Sequence, residues 1–171
     1  MSQILLNLTI SLDGFIEGPK GEFDWCFTDQ DYGMTAFLAR CDGVILGRKS
    51  YELLLQFDPN PYPDKIKYVF SNSNLTVADN TVVVNGNLVD KIAQIRQETQ
   101  GDLWFFGGAS LLEDFLKHDL IDEMYLAVHP LTLGSGKPLF PHAEQRKWFQ
   151  LKGVETYSSG LVQLIYGRKT S

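Results

Sequence analysis

The sequence predicts an α/β protein: a central, mostly parallel sheet flanked by helices and finished by an antiparallel hairpin at its C-terminal end. Three observations carry this. Short apolar runs alternate with amphipathic stretches as far as residue 120. Beyond that point strands follow one another with no helix between them. The stretch 147–169, KWFQLKGVETYSSGLVQLIYGRK, is two β-rich runs around Ser158-Ser159-Gly160. Alternation calls for parallel strands joined by helical crossovers, whereas consecutive strands joined by a tight turn pair antiparallel.

The elements follow in order. QILLNLTISL (3–12) reads as a buried strand, and 13–25, with three glycines and a proline, as a loop. Met34, Phe37, Leu38 and Cys41 recur at helical intervals, which predicts a helix over 29–41. GVILG (43–47) is a strand and RKSYELLLQF (48–57) a short helix, stopped by Pro59, Pro61 and Pro63. Strands are expected at 65–71 and 80–86. Leu88, Ile92 and Ile95 predict a helix over 88–98. A strand at 102–106 leads into a helix at 109–118, and 121–133 reads as a long strand interrupted at Pro130. No repeat, low-complexity tract or linker divides the chain, so one domain over 1–171 is expected.

Composition narrows the function. The chain has 171 residues, 44% hydrophobic and 12% aromatic, enough for a packed core. A net charge of −6 argues against a nucleic-acid partner held through its phosphates, but not against a small anion held by local cations. Cys26 and Cys41 are too few for a disulfide framework or a four-thiolate zinc site, and both read as buried free thiols. His118, His129 and His142 show no metal-ligand spacing, so no metal is expected; His118 closes a helix and His129 reads as structural. Neither a signal peptide nor a membrane span is present in the sequence, which predicts a cytoplasmic protein without a membrane partner.

Three strand ends carry unusual chemistry. Gly47, Arg48, Lys49 and Ser50 follow one strand directly; Ser71, Asn72 and Ser73 follow another; Gly107 and Gly108 follow a third. Ligands of open α/β sheets bind outside the carboxyl ends of strands. Two glycines before a helix start admit a ligand to the main chain and to unpaired N–H groups, which suits a pyrophosphate; they equally suit a simple turn. Arg48 and Lys49 beside Ser50 suit a phosphate, or form a solvated helix start.

SLDGFI (11–16), GVILGRKSYE (43–52), FSNS (70–73), FFGGASLLEDFL (105–116) and VHPLTLGSGKPLF (128–140) together resemble, in order and over nearly the whole chain, the dihydrofolate reductase-like superfamily. Among its members the chain is most similar to the reductase domain of bacterial riboflavin biosynthesis and its stand-alone relatives. The resemblance implies a three-layer dihydrofolate reductase-like fold and NADPH as cofactor. Gly47, Arg48, Lys49 and Ser50 match the segment that contacts the cofactor phosphates. Ser71 and Asn72 match the turn near the adenosine 2′-phosphate. Gly107, Gly108, Ala109 and Ser110, with Leu111 beside them, match the pyrophosphate loop, and Asp13 and Gly14, with Phe15, the loop flanking the nicotinamide. Asp31 falls near the carboxylate that holds the pteridine in folate reductases, and is the candidate catalytic residue; an acid in a first helical turn is the alternative. Trp25 and Phe27 are candidates for stacking on a flat substrate ring or for the core, and Lys137 for a substrate phosphate or the surface.

The implied activity is NADPH-dependent reduction, by hydride transfer from the nicotinamide, of a small heterocycle, pterin-like or ribosylamino-pyrimidine-like. The zinc-ligand pattern of a deaminase is absent from the sequence, so the bifunctional riboflavin enzyme is not expected. The alternative is a non-catalytic nucleotide-binding module on the same fold. The resemblance also implies a homodimer, with Trp148, Phe149 and Tyr166 as candidates for its surface.

Overall fold

The structure, a computed structural model, describes residues 1–141 and 146–169. Eight strands form one sheet in the order β5-β4-β3-β6-β1-β7-β10-β9, and two short strands, β2 and β8, pair separately. The chain forms two compact units, Met1–Leu5 with Thr35–Asp122, and Leu6–Met34 with Glu123–Ser171. Strand β1 (Ile4–Ile10) runs through both.

The first unit holds the parallel strands. They are β3 (Cys41–Gly47), β4 (Ile66–Phe70), β5 (Thr81–Val84) and β6 (Asp102–Gly107), with β3 parallel to β4 and β6, and β4 parallel to β5. Strands covered on both faces need apolar residues at successive positions, and Val44, Ile45, Leu46, Leu103 and Phe105 are all fully buried. The helices are α2 (Arg48–Phe57), α3 (Leu88–Glu98) and α4 (Ala109–Lys117). Helix α2 stops before Pro59, its last turn closed by Asp58 N–H donating to Leu54 O. Helix α3 starts where Asn87 caps it, the side chain accepting from Asp90 N–H. Phe115 of α4 meets Phe105 of β6 edge to face at 4.8 Å.

Two lysines of this unit are buried, which alternation along KIKYVF does not predict. Lys65 Nζ donates to Cys41 O at 2.7 Å and pairs with Asp64 at 3.2 Å, while Lys67 Nζ reaches Tyr62 O at 3.4 Å. Burial lowers the Lys67 ammonium, against the pull of Asp64 and Asp79. Tyr62 belongs to the proline-rich loop and Cys41 opens β3, so Lys67 ties down the loop and Lys65 the start of the strand. The N-terminus is fixed by a second ionic group. Arg96 pairs with Asp122 at 2.8 Å and donates to Ser2 O and Leu120 O, and Asp122 accepts from Ile4 N–H.

The second unit holds β2 (Phe15–Glu17), β7 (Glu123–Val128), β8 (Lys137–Pro138), β9 (Phe149–Thr156) and β10 (Val162–Arg168). The expected hairpin is present: β10 is antiparallel to β9 and to β7, and Gly160, at φ +90°, turns the chain. Two expectations need correction. The first helix, α1 (Met34–Ala39), starts five residues late, because Tyr32 and Gly33 take left-handed backbone (φ 50° and 78°) that no helix tolerates; Asp31 therefore precedes the helix, and Cys41 opens β3 instead of closing α1. Strand β7 ends at Val128, two residues before Pro130. The β2–β8 pairing, with Glu17 beside Lys137, joins the stretch 13–25, read as loop, to residues 137–138, where no element was expected. His142 falls outside the described residues.

The Arg96–Asp122 pair yields a stability prediction. Replacing Asp122 by Ala strands a largely buried guanidinium and frees Ile4 N–H, and is expected to cost about 3 kcal/mol. Urea unfolding of Asp122→Ala checks it; a loss under about 1 kcal/mol would show the pair to be dispensable.

Candidate functional site

In the first unit the ends of β3 and β6 converge. Gly47 ends β3 and is the N-cap of α2; Gly107 ends β6 and Gly108 is the N-cap of α4. Gly108 sits at φ +121°, and a Cβ on it would stand 3.1 Å from Gly47 Cα and 3.2 Å from Gly47 N. A Cβ on Gly47 would lie 3.3 Å from Gly108 Cα, and one on Gly107 3.2 Å from Ser50 Oγ. The first partner that needs Gly47 and Gly108 bare is thus the protein's own backbone, while Gly107 faces the Ser50 hydroxyl. A valine at Gly108 would disturb the fold itself, so it is no clean probe of ligand approach.

Neither α2 nor α4 has a side-chain cap, so their first backbone N–H groups are left to a ligand or solvent. Arg48 and Lys49 are exposed at the start of α2, with Arg48 reaching Glu52 at 3.2 Å. Ala109, Ser110 and Leu111 form the first turn of α4. Beyond β4 and β5 lies a cleft of about 310 Å³ lined by Asn72, Ser73, Asn74, Leu75, Val83 and Asn85. Ser71 shapes its rim, its Oγ accepting from Ser73 N–H at 3.0 Å. Asn74 belongs to the SNSN run the sequence already shows, whereas Asn85 carries no local signal and reaches the cleft only because β5 pairs with β4.

The second unit holds the remaining candidates. Asp13 accepts from Ser11 Oγ–H at 2.6 Å, Leu133 N–H at 3.0 Å and Gly134 N–H at 2.8 Å. The Ser11 hydroxyl, helped by the two amides and opposed by desolvation, holds its carboxyl at about 2. Both oxygens are committed to the chain, and Gly14 beside it, at φ +87°, faces open space. Lys137 pairs with Glu17 at 3.7 Å.

Trp25 and Phe27 gather around His129. Trp25 meets the imidazole edge to face at 5.4 Å, and the Phe27 ring lies 4.7 Å from it. Phe27 N–H donates to His129 Nε2 at 3.0 Å, which leaves Nδ1 protonated and donating to Ala127 O at 3.0 Å. The imidazole, 1% exposed, fixes the loop that carries both aromatics, a structural role as the sequence suggests. Tyr32 continues the row, 6.4 Å from Phe27 and 4.8 Å from Tyr157, and its hydroxyl donates to Asp29 at 2.6 Å. Asp31 is exposed, and its charge helps raise the Tyr157 hydroxyl, behind burial and the Glu155 hydrogen bond. The structure thus joins Trp25 with Phe27, places Asp31 near Tyr157, and ties Lys137 to Glu17. Tyr157 escaped the sequence reading, since a tyrosine in a hairpin carries no motif.

The Asp13 clamp has a defined pH window. Its folded value is depressed, so its stabilising contribution is complete above the unfolded value of 3.8 and is lost as pH falls through about 2. Amide protection factors at Leu133 and Gly134 are expected to persist at about pH 4 and collapse near pH 2, and Asp13→Asn to flatten that change. Unchanged protection in both proteins across this range would remove the clamp.

Comparison with known proteins agrees with this architecture. Residues 2–163 match the family model described as the RibD C-terminal domain. The chain is 40% identical over 176 residues to the uncharacterized protein YyaP of Bacillus subtilis (strain 168), covering 96% of this chain and 94% of that protein. A crystal structure of a putative riboflavin biosynthesis protein from Shewanella sp. PV-4 superposes with a TM-score of 0.87 at 34% identity, covering 98% of this chain and 99% of that one. The dihydrofolate reductase of Enterococcus faecalis, solved with NADP(H), shares the three-layer α/β fold, with a TM-score of 0.71 at 16% identity over 98% of this chain and 97% of that one. The chain belongs to the RibD C-terminal domain family.

Proposed function

We propose that this protein is an NADPH-dependent reductase of a small heterocycle, of the 5-amino-6-(5-phosphoribosylamino)uracil reductase or dihydrofolate reductase type. The observation that carries the reading is the glycine junction: two uncapped helix starts rise from parallel strand ends whose backbones approach to van der Waals contact. Such a junction offers several convergent N–H donors and no side chain in the way, which fits a diphosphate. Membership of the family and the NADP(H) bound by the Enterococcus faecalis enzyme support the same cofactor here. When bound, NADPH supplies the hydride, and the protein's part is placement and exclusion of water.

The roles divide by unit. Residues 107–111 hold the diphosphate, residues 47–50 the cofactor phosphates with Arg48 on the 2′-phosphate, and Ser71 and Asn72 the adenosine end beside the amide-lined cleft. In the second unit Asp13 acts through the backbone, setting the Gly14 turn that flanks the nicotinamide. Trp25 and Phe27 face the flat ring, Asp31 accepts from its N–H groups, and Lys137, released from Glu17, meets a substrate phosphate. The exposure of Asp31 favours a second reading, a nucleotide-binding module without turnover, because an exposed carboxylate lacks the desolvation that tunes a general acid. Tight cofactor binding with no oxidation of NADPH on a panel of pterins and pyrimidines would select it.

Titration with NADPH and NADH, followed by nicotinamide fluorescence, tests the cofactor. NADPH is expected to bind more tightly, and Arg48→Ala to weaken it about five- to tenfold while NADH changes little. Equal losses would remove Arg48 from any 2′-phosphate contact, and absence of binding to either would overturn the reading.

A homodimer and a cytoplasmic place complete the proposal. Strand β9 leaves Leu151 and Val154 each 50% exposed, and Trp148 beside it 78% exposed, an apolar surface suited to a second copy. Phe149 and Tyr166 are partly covered. Sedimentation is expected to give twice the 19.3 kDa chain mass; a 19.3 kDa species alone would end the dimer. Both cysteines are free, Cys41 is pushed up to about 11 by burial, and no helix among the described residues is long and apolar enough to cross a membrane. Cell fractionation that finds the protein outside the cytoplasm would contradict that placement.

A further inference from the structure

The sequence holds one Asn-Gly pair, Asn85-Gly86, and the structure places it in the open turn between β5 and α3. Asparagine is a thermolabile residue because the next backbone nitrogen can close on its side-chain carbonyl carbon, forming a five-membered imide. A following side chain obstructs that closure, and glycine has none. Gly86 takes φ +105°, a conformation that a Cβ would strain, so this backbone keeps a glycine there. Asn85 and Gly86 are both exposed. Neither the Asn85 carboxamide nor the Gly86 N–H makes a hydrogen bond among the described residues, so the two groups are free to meet and water reaches both.

Two Asp-Gly pairs could follow the same route and are held back from it. Asp13 accepts from Ser11, Leu133 and Gly134, and Asp42 accepts from Gly101 N–H at 2.7 Å while Gly43 is buried within β3. Asn85 has no such restraint, and it has a cation beside it. Lys91 of α3 places its Cε 3.6 Å from where a Gly86 Cβ would stand, and lines with Asn85 a cavity of about 130 Å³. A neighbouring positive charge favours the deprotonated Gly86 nitrogen, the form that attacks.

We propose that Asn85-Gly86 is a self-modifying site whose conversion puts a negative charge into the cleft beyond β4 and β5. Gly86 N bonds to the Asn85 side-chain carbonyl carbon, and ammonia leaves with the proton given up by Gly86 N–H. Water then opens the imide at either carbonyl, leaving an aspartyl or isoaspartyl residue at position 85; no oxidant or other co-reactant is needed. Asn85 lines the cleft of about 310 Å³, whose other lining residues are also uncharged, so the product carboxylate is the first charge there. The consequence rests on the reading that this cleft receives the adenosine end of NADPH. The new charge opposes the cofactor's phosphates, and by linkage a bound cofactor protects Asn85. Empty protein is therefore modified first and loses affinity as it is.

The test incubates the full chain in mildly alkaline buffer with and without NADPH, then maps its peptides by mass spectrometry and titrates fresh and aged samples with NADPH. Paired aspartyl and isoaspartyl peptides are expected at position 85 before any change at Asn72 or Asn74, more slowly with NADPH present. Affinity is expected to fall about threefold, and fresh Asn85→Asp to show the same loss. Asn85→Gln, whose longer side chain closes its ring far more slowly, is expected to keep its own fresh affinity through the incubation; thermal melting checks that each variant is folded. Asn85 intact when other asparagines have changed would overturn the site. Full conversion with unchanged NADPH affinity would overturn its effect on the cleft. Conversion at position 85 in a protein that binds no NADPH when fresh would support the modification and remove the cofactor reading.

Discussion

The contact on which the rest of the first unit depends is the approach of Gly47 to Gly108. Each would carry its Cβ into the other's backbone, 3.3 and 3.1 Å from the opposing Cα. Without side chains there, β3 and β6 stay paired to their ends, where α2 and α4 begin. The positive φ of Gly108 sets the direction in which α4 leaves. The same junction leaves two helix starts whose N–H groups no side chain has claimed. In the proposed reading, a close backbone contact made for packing is also what opens the backbone to an anion.

The second unit uses its polar side chains differently. Asp13 looks like chemistry in a sequence, an acid in a glycine-rich loop, whereas His129, a histidine before proline, reads as structural. In the structure each is saturated by the chain: Asp13 by a hydroxyl and two amides, His129 by one amide and one carbonyl. Saturated groups shape loops; groups with capacity left over can meet a ligand.

The parts of the fold legible in the sequence are those with strong local causes. Helix α2 begins at Gly47 and ends before Pro59, and α3 begins at its Asn87 cap, so their limits could be read from the chain alone. Helix α1 misled because Met34, Phe37, Leu38 and Cys41 keep a helical period across a boundary that backbone sterics set. Tyr32 in left-handed conformation is held by tertiary contacts, its hydroxyl bonded to Asp29 and to Ser159, which a local reading has no access to. The β2–β8 pair is two and three residues long and set among glycines and prolines, too short for alternation to register. Nothing local marks Lys65 and Lys67 for burial, which the carbonyls of Cys41 and Tyr62 and the Asp64 carboxylate make sustainable. The glycine junction was visible as a motif, but its partner, Gly47, could be assigned only once β3 and β6 were paired.

This division bears on how a chain of net charge −6 would hold a polyanionic cofactor. Its cations are poor candidates for the main attraction. Arg48 is shared with Glu52 on an exposed helix face, and the cleft beyond β4 and β5 is lined by amides and a hydroxyl with no charge among them. Exposed ion pairs contribute little and fade with salt, whereas N–H groups fixed by the helix itself lose no side-chain entropy on binding. On the proposed reading, recognition in the first unit rests on backbone geometry more than on net charge. It follows that cofactor affinity should depend only weakly on ionic strength, the reverse of what a lysine- and arginine-lined site would give.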